Sequence, residues 1–275
     1  MSAVKVISGV ATAVVIFIAL GIDYFTGTEW AFSALVFVVL LGGLVEFYRM
    51  SRNRGSDPLQ TLGVTLAVLY LVFIFVGQRD PAFPGPNMLQ NLVLTLGVMA
   101  TLVNFLIKPK QEHAFESSMT TIFGLVYVVF LGGYLLRIRF QAFEWAFLFV
   151  CTAKSCDIGA YLIGSSTGKY PFHPESPRKT VEGSIGGIAL GTGIALLATR
   201  LFLAPGFPLY LAAIYGVVVC VASQTGDLAE SMIKRRCGVK DSANLIPGSG
   251  GMLDFADCLL FSAPVAYYFV EFAVK

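Results

Sequence analysis

Nine stretches of this chain are long and apolar enough to cross the roughly 30 Å of a bilayer's hydrocarbon core, and little sequence lies between them. They fall at about 5–22, 30–48, 59–77, 88–107, 118–136, 142–163, 184–203, 208–226 and 253–273. In lipid, backbone polar groups must be satisfied within a helix or a closed barrel, and these runs are too long and unbroken for barrel strands. The expected fold class is therefore all-α, a polytopic integral membrane protein with about nine transmembrane helices. Composition agrees: 56% of the 275 residues are hydrophobic and 13% charged, against about 25% charged in soluble domains. The mean hydropathy is +0.75. The first run, from Val6 to Ile22, lacks a small-residue cleavage site and reads as a span rather than a signal peptide. Five cysteines (Cys151, Cys156, Cys220, Cys237 and Cys258) form no C-x-x-C pair, so they read as small buried hydrophobes.

Lys and Arg in the connecting segments set the orientation. With the N-terminus inside, the inner segments hold thirteen, among them Arg49, Arg52, Arg54, Lys108, Lys110 and Lys179, and the outer segments hold five. This places two polar loops, at about 164–183 and 227–252, on the cytoplasmic side and the C-terminus outside. Polarity is also divided along the chain. Helices up to about residue 145 are rich in Val, Leu and Phe, whereas Lys154, Asp157, Asp227, Glu230, Asp254 and Asp257 gather after it. An intramembrane charge costs at least about 2.5–3.5 kcal/mol on insertion scales, which scaffold alone does not explain. Two regions are expected: scaffold helices with a lipid-facing role in 1–145, and a catalytic region in 146–275.

The segment SQTGDLAESMIKRRCGVKDSANLIPGSGGMLDFAD, Ser223 to Asp257, concentrates this polarity. Asp227 and Glu230 are three apart and share a helix face; Asp254 and Asp257 repeat that spacing. Lys234, Arg235, Arg236 and Lys240 lie between the acidic pairs, followed by Pro247, Gly248, Gly250 and Gly251. Carboxylates suit a hard divalent cation shared with phosphate. Glycines let backbone N–H groups approach an anion, and basic side chains complete a phosphate clamp. Together they read as metal-assisted phosphate chemistry at the membrane surface. The plainer account, a positive-inside loop with dipole-matched aspartates, explains the bases but not four acids and a glycine turn.

A second loop begins CDIGAYLIGSSTGKY at Cys156 and continues to SPRKTVEGSIGG, Ser176 to Gly187. Asp157 and Tyr161 are four apart at the end of a span. GSSTGK is one residue short of a P-loop, and Tyr170 stands where Ser or Thr would. Ser176, Lys179, Thr180 and Glu182, just ahead of a helix, offer a second anion contact. Gly183, Gly186 and Gly187 suit that role or close helix packing equally. His113 and His173 have no partner at metal-ligand spacing and read as solvated.

The run Ser231-x-x-Lys234-Arg235-x4-Lys240-Asp241-x5-Pro247-Gly248-x-Gly250-Gly251-x-x-Asp254-x-x-Asp257 resembles the signature of the phosphatidate cytidylyltransferases, with DIGAYLIGSSTGK and SPRKTVEGSIGG resembling that family's other shared segments. The resemblance covers about 120 residues, Cys151 to Phe272. It implies reaction of CTP with phosphatidic acid to give CDP-diacylglycerol and pyrophosphate, with Mg²⁺ or another divalent cation, as one ion or two. It further implies Asp227, Asp254 and Asp257 as metal ligands, with Lys234, Arg235, Lys240 and Asp241 in the catalytic set. The substrate contacts would be Asp157, Tyr161, Lys169, Ser176, Lys179, Thr180, Glu182, Gly183, Gly248, Gly250 and Gly251. Three positions depart from the family pattern: Ser249 replaces a common His, Phe255 a common Arg, and Cys258 a frequent Ser. Expected partners are CTP, phosphatidic acid and the lipid bilayer of the inner membrane, with no nucleic acid and with room for a homodimer. The alternatives are a CTP-dependent isoprenoid-lipid kinase or an ether-lipid cytidylyltransferase. An ion-coupled transporter fits less well, because its paired interrupted helices in two repeated halves are missing.

Overall fold

The structure is a computed structural model and describes residues 3–80, 83, 86–107, 113–173, 176–202, 207–245 and 250–274. It contains α1 (Ala3–Thr26), α2 (Trp30–Ser51), α3 (Gln60–Arg79) and α4 (Pro86–Ile107), then α5 (Ala114–Gln141). These are followed by α6 (Phe143–Thr167), α7 (Val181–Phe202), α8 (Leu209–Arg236) and α9 (Met252–Val274). A short hairpin of β1 (Pro171–His173) and antiparallel β2 (Ser176–Thr180) separates α6 from α7. Among the described residues, α2 to α9 are long and apolar enough to cross a membrane, while the searched part of α1 is the shorter Ala13–Thr26. The protein is thus an all-α integral membrane protein, close to the expected nine spans.

Two boundaries differ from the hydropathy reading. The eighth helix does not stop at 226 but continues to Arg236. Asp227–Arg236 contains neither Gly nor Pro and is built largely from strong helix formers. The chain leaves the helix at Gly238, whose φ of +73° is the left-handed conformation a glycine supplies beyond a helix end. Asp227, Glu230 and Lys234 therefore stand on a helix rather than in a loop. The fifth helix carries a π-turn at Leu125–Phe130, which periodicity does not announce.

The chain forms two compact units. The first comprises residues 1–137 together with 236–256. Its core is made by Leu40, Leu44, Phe47 and Tyr48 of α2, Leu71 and Ile74 of α3, and Val128 and Val129 of α5. The Tyr48 hydroxyl donates to the Thr121 carbonyl at 2.9 Å, and the ring occupies space that Gly63 and Gly124 leave open. Leu92, Leu96, Met99 and Leu106 of α4 are exposed, as suits a helix that faces lipid.

The second unit comprises residues 138–235 and 257–275. Here α6 and α7 meet through glycines. A Cβ on Gly183 would lie 2.7 Å from the Ala160 carbonyl oxygen, and one on Gly187 would lie 2.6 Å from that of Cys156. Both distances are below any real contact, so small residues are what permit this backbone approach.

Candidate active site

In the second unit, four acidic and three basic side chains gather on α6, β2, α8 and α9. Lys179 of β2 pairs with Asp227 of α8, Nζ to Oδ2 2.7 Å. One turn further along α8, Glu230 pairs with Lys234. On α6, Lys154 Nζ lies 4.0 Å from Asp157 Oδ2 and donates to Cys258 Sγ of α9 at 3.3 Å. Asp257 lies within electrostatic range of Asp227, Glu230, Asp157 and Lys154.

These pairs differ in what they can do. Glu230 is fully buried and Lys234 is 8% exposed. Removing either partner would strand a charge in an apolar environment, at a cost of about 3–5 kcal/mol. Lys179 and Asp227, by contrast, keep about a third of their side-chain surface open, 29% and 32%. The Lys179 ammonium itself is covered, so the open surface of this lysine is its aliphatic stem and its charge is held against Asp227.

The hairpin and the start of α7 are organised by their own polar groups. Thr180 Oγ1 accepts from Gly183 N at 3.1 Å, a helix N-cap. The Glu182 carboxylate accepts from the backbone of Lys169 and Tyr170 at 3.1 and 3.4 Å, fastening the turn after α6. Gly183 is buried against α6, so close packing accounts for it. Ser176 is half-buried, while the side chains of Tyr161 and Lys169 are exposed. Arg235, Lys240 and Asp241 are likewise exposed.

Asp254 lies in the first unit, on the first turn of α9. Its Oδ2 accepts from Ser242 N and Ser242 Oγ, each at 2.7 Å, and from Gly251 N at 2.8 Å. Gly250 has φ +91°, and the space a Cβ would take there is filled by the Asp254 carboxylate. A Cβ on Gly251 would meet Glu46 and Ser242. The anions these glycines approach are therefore carboxylates of the chain itself. Gly248, and Ser249 beside it, lie outside the described residues.

Two participants escaped the sequence reading. Ser242 ties into Asp254 as above. Glu46 of α2, 3% exposed, accepts from Met252 N and Leu253 N, both at 2.9 Å. The signal for Glu46 was present, as a lone acid inside the apolar run LLGGLVEFYRM, and an intramembrane ionisable group is a functional candidate by default.

Among the described residues, no three Asp, Glu, His or Cys side chains form a group that could hold a metal ion. Mg²⁺ is ordinarily held by one or two carboxylates together with water and substrate phosphate. Asp227 and Asp257, oxygen donors within electrostatic range of each other, fit that chemistry. None of the five cysteines is in a disulfide; Cys156, Cys220 and Cys258 are buried as their apolar context suggested, and Cys237 is buried although basic residues flank it.

The chain as a whole is similar to known proteins. The model of the Cytidylyltransferase family matches residues 4–273. A phosphatidate cytidylyltransferase of Synechocystis sp. is 32% identical, over 93% of this chain and 94% of its own length. One from Bacillus subtilis is 28% identical over 96% of both chains. Another, from Helicobacter pylori, is 29% identical over 88% of this chain and 86% of its own.

Proposed function

The chain belongs to the cytidylyltransferase family, and we propose that it transfers the cytidylyl group of CTP to phosphatidic acid, forming CDP-diacylglycerol and pyrophosphate. The observation that supports this reading is the gathering of the Lys179–Asp227 and Glu230–Lys234 pairs in one cluster, an arrangement of charge suited to polyphosphate. An oxygen of the lipid phosphate attacks the α-phosphorus of CTP in line. The new P–O bond forms as the bond to the bridging oxygen of the β-phosphate breaks, and pyrophosphate leaves with that electron pair. The nucleophile is already an anion, so no side chain has to take a proton. What such a transfer needs from the protein is positioning and charge neutralisation.

Lys179, paired to Asp227 with its ammonium covered, is assigned to a CTP phosphate, which it meets by turning from that carboxylate. Lys234 is held by Glu230 in a fixed place. Its charge opposes the accumulation of acids along α8, and with Arg235 and Lys240 it is assigned to neutralising phosphate. Asp227, Asp254 and Asp257 are assigned as the carboxylates for a divalent cation, on their spacing in the signature. Such a cation would supply charge neutralisation at the phosphoryl oxygens. Thr180 and Glu182 act through the backbone, holding the hairpin so that Lys179 is presented at α8. The lipid's acyl chains stay in the bilayer, and the Lys and Arg distribution supports a cytoplasmic position for these groups.

The test is turnover of labelled CTP by the purified protein, with phosphatidic acid, a polyprenol and an ether-lipid phosphate as separate acceptors, with and without Mg²⁺. Wild type is expected to make CDP-diacylglycerol only with phosphatidic acid and Mg²⁺. Asp227→Asn is expected to lose at least about 100-fold in kcat, the scale of one preorganised electrostatic contact. Near-normal turnover in that variant would remove Asp227 from the metal-ligand set, and a product on another acceptor alone would replace the substrate.

A further inference from the structure

Glu46 sits in α2, among helices whose sequence reads as scaffold, yet its carboxylate is spent on the signature turn about 200 residues away. Oε1 accepts from Met252 N and Oε2 from Leu253 N, both at 2.9 Å, and Oε2 also accepts from Ser242 Oγ at 2.6 Å. The same Ser242 hydroxyl reaches Asp254 Oδ2 at 2.7 Å. A hydroxyl has one proton to donate, so Ser242 is shared between the two carboxylates and couples their positions. The approach is prepared on both sides. On α2, Gly42 and Gly43 leave room for Met252 and Leu253, and on the turn Gly251 leaves room for Glu46.

The other buried acid of these helices behaves differently. Asp23, 1% exposed, accepts from the backbone of Ala31 and Phe32, a local cap at the start of α2. Glu46 is the one whose partners lie in the segment assigned to phosphate chemistry.

We propose that Glu46 is a positioning residue for Asp254: through Ser242 and the first turn of α9 it holds the Asp254 carboxylate in one orientation for the reaction. The inference rests on the assignment of Asp254 to the reaction. A carboxylate that must meet a cation or phosphate gains from being pre-oriented, because its rotamer entropy is lost on folding rather than in the transition state.

The experiment compares Glu46→Gln, Ser242→Ala, Ser242→Thr, the Glu46→Gln/Ser242→Ala double variant and Asp254→Asn as full-length purified proteins. Glu46→Gln keeps the side-chain volume but puts an NH₂ among three donors. The readouts are kcat, KM for CTP, the Mg²⁺ concentration for half-activation, and the rise in melting temperature produced by Mg²⁺ with a non-hydrolysable CTP analogue. Expected for Glu46→Gln and Ser242→Ala is a fall in kcat of at least about tenfold and a Mg²⁺ requirement raised several-fold. The ligand-induced rise in melting temperature should shrink in both. Ser242→Thr, which keeps the hydroxyl, should restore all of these, and the double variant should be no worse than the worse single one. A purely structural role would lower the ligand-free melting temperature and leave the Mg²⁺ requirement and KM at wild-type values in the folded fraction, and that result overturns the proposal. If Glu46→Gln does not fold, the Ser242 pair decides by the same readouts. Wild-type activity in Asp254→Asn would instead strike the underlying assignment; an inactive Asp254→Asn beside a wild-type-like Ser242→Ala would strike the positioning role alone.

Discussion

At Gly250 the backbone adopts φ +91°, and the Asp254 carboxylate occupies the place of any Cβ. Gly250→Ala therefore carries a left-handed penalty of about 1–2 kcal/mol and also pushes Asp254 from its contacts with Ser242 and Gly251. The expected outcome is a loss of turnover larger than the loss of stability explains. Steady-state kinetics beside thermal unfolding in detergent will show it, and a variant with full activity would mean that Asp254 has no fixed place in the reaction. The glycines were legible in the sequence as a turn that lets backbone N–H groups meet an anion. Which anion was not legible, because Asp254 is three residues away while Glu46 is about 200 residues away along the chain. The pairing of Lys179 with Asp227 was hidden for the same reason: each residue type suggested phosphate or metal, but no spacing links residue 179 to residue 227.

Helices α6 and α7 illustrate what an element can and cannot reveal about itself. The glycines of SPRKTVEGSIGG fitted an anion contact and helix packing equally well as sequence, and the fold puts Gly183 and Gly187 against α6. Gly187→Leu is expected to destabilise the protein by about 1–3 kcal/mol through overpacking, seen as a lower melting temperature in detergent. Gly193→Ala, where nothing lies within 4 Å of the new Cβ, should leave it unchanged. Equal melting temperatures for the two would discount the packing role. The extent of α8 was misread because hydropathy marks where a helix is apolar, not where it ends. DLAESMIKRR is polar enough to look like loop and helix-forming enough to remain helical, and that one-element difference brings Asp227, Glu230 and Lys234 onto a common scaffold.

For the whole molecule, the distribution of Lys and Arg predicts that the turn at 52–54 faces the cytoplasm and the one near Asp80 faces outward. Cysteines introduced as Asn53→Cys and Asp80→Cys should separate cleanly with a membrane-impermeant maleimide. In sealed right-side-out vesicles Asp80→Cys should be labelled and Asn53→Cys only after permeabilisation; the reverse pattern would invert the topology. The helical class and, closely, the number of spans follow from the linear chain. Lipid forces every backbone group into local hydrogen bonds, which makes hydropathy a nearly sufficient rule, and the cost of intramembrane charge makes misplaced acids and bases conspicuous. Which of those charges pair, which carboxylate is reachable and which is buried, and that an acid in α2 holds the turn before α9, were settled by packing alone. Those are contacts between groups far apart in sequence, and their energies depend on distance and burial in space, which periodicity and composition do not carry.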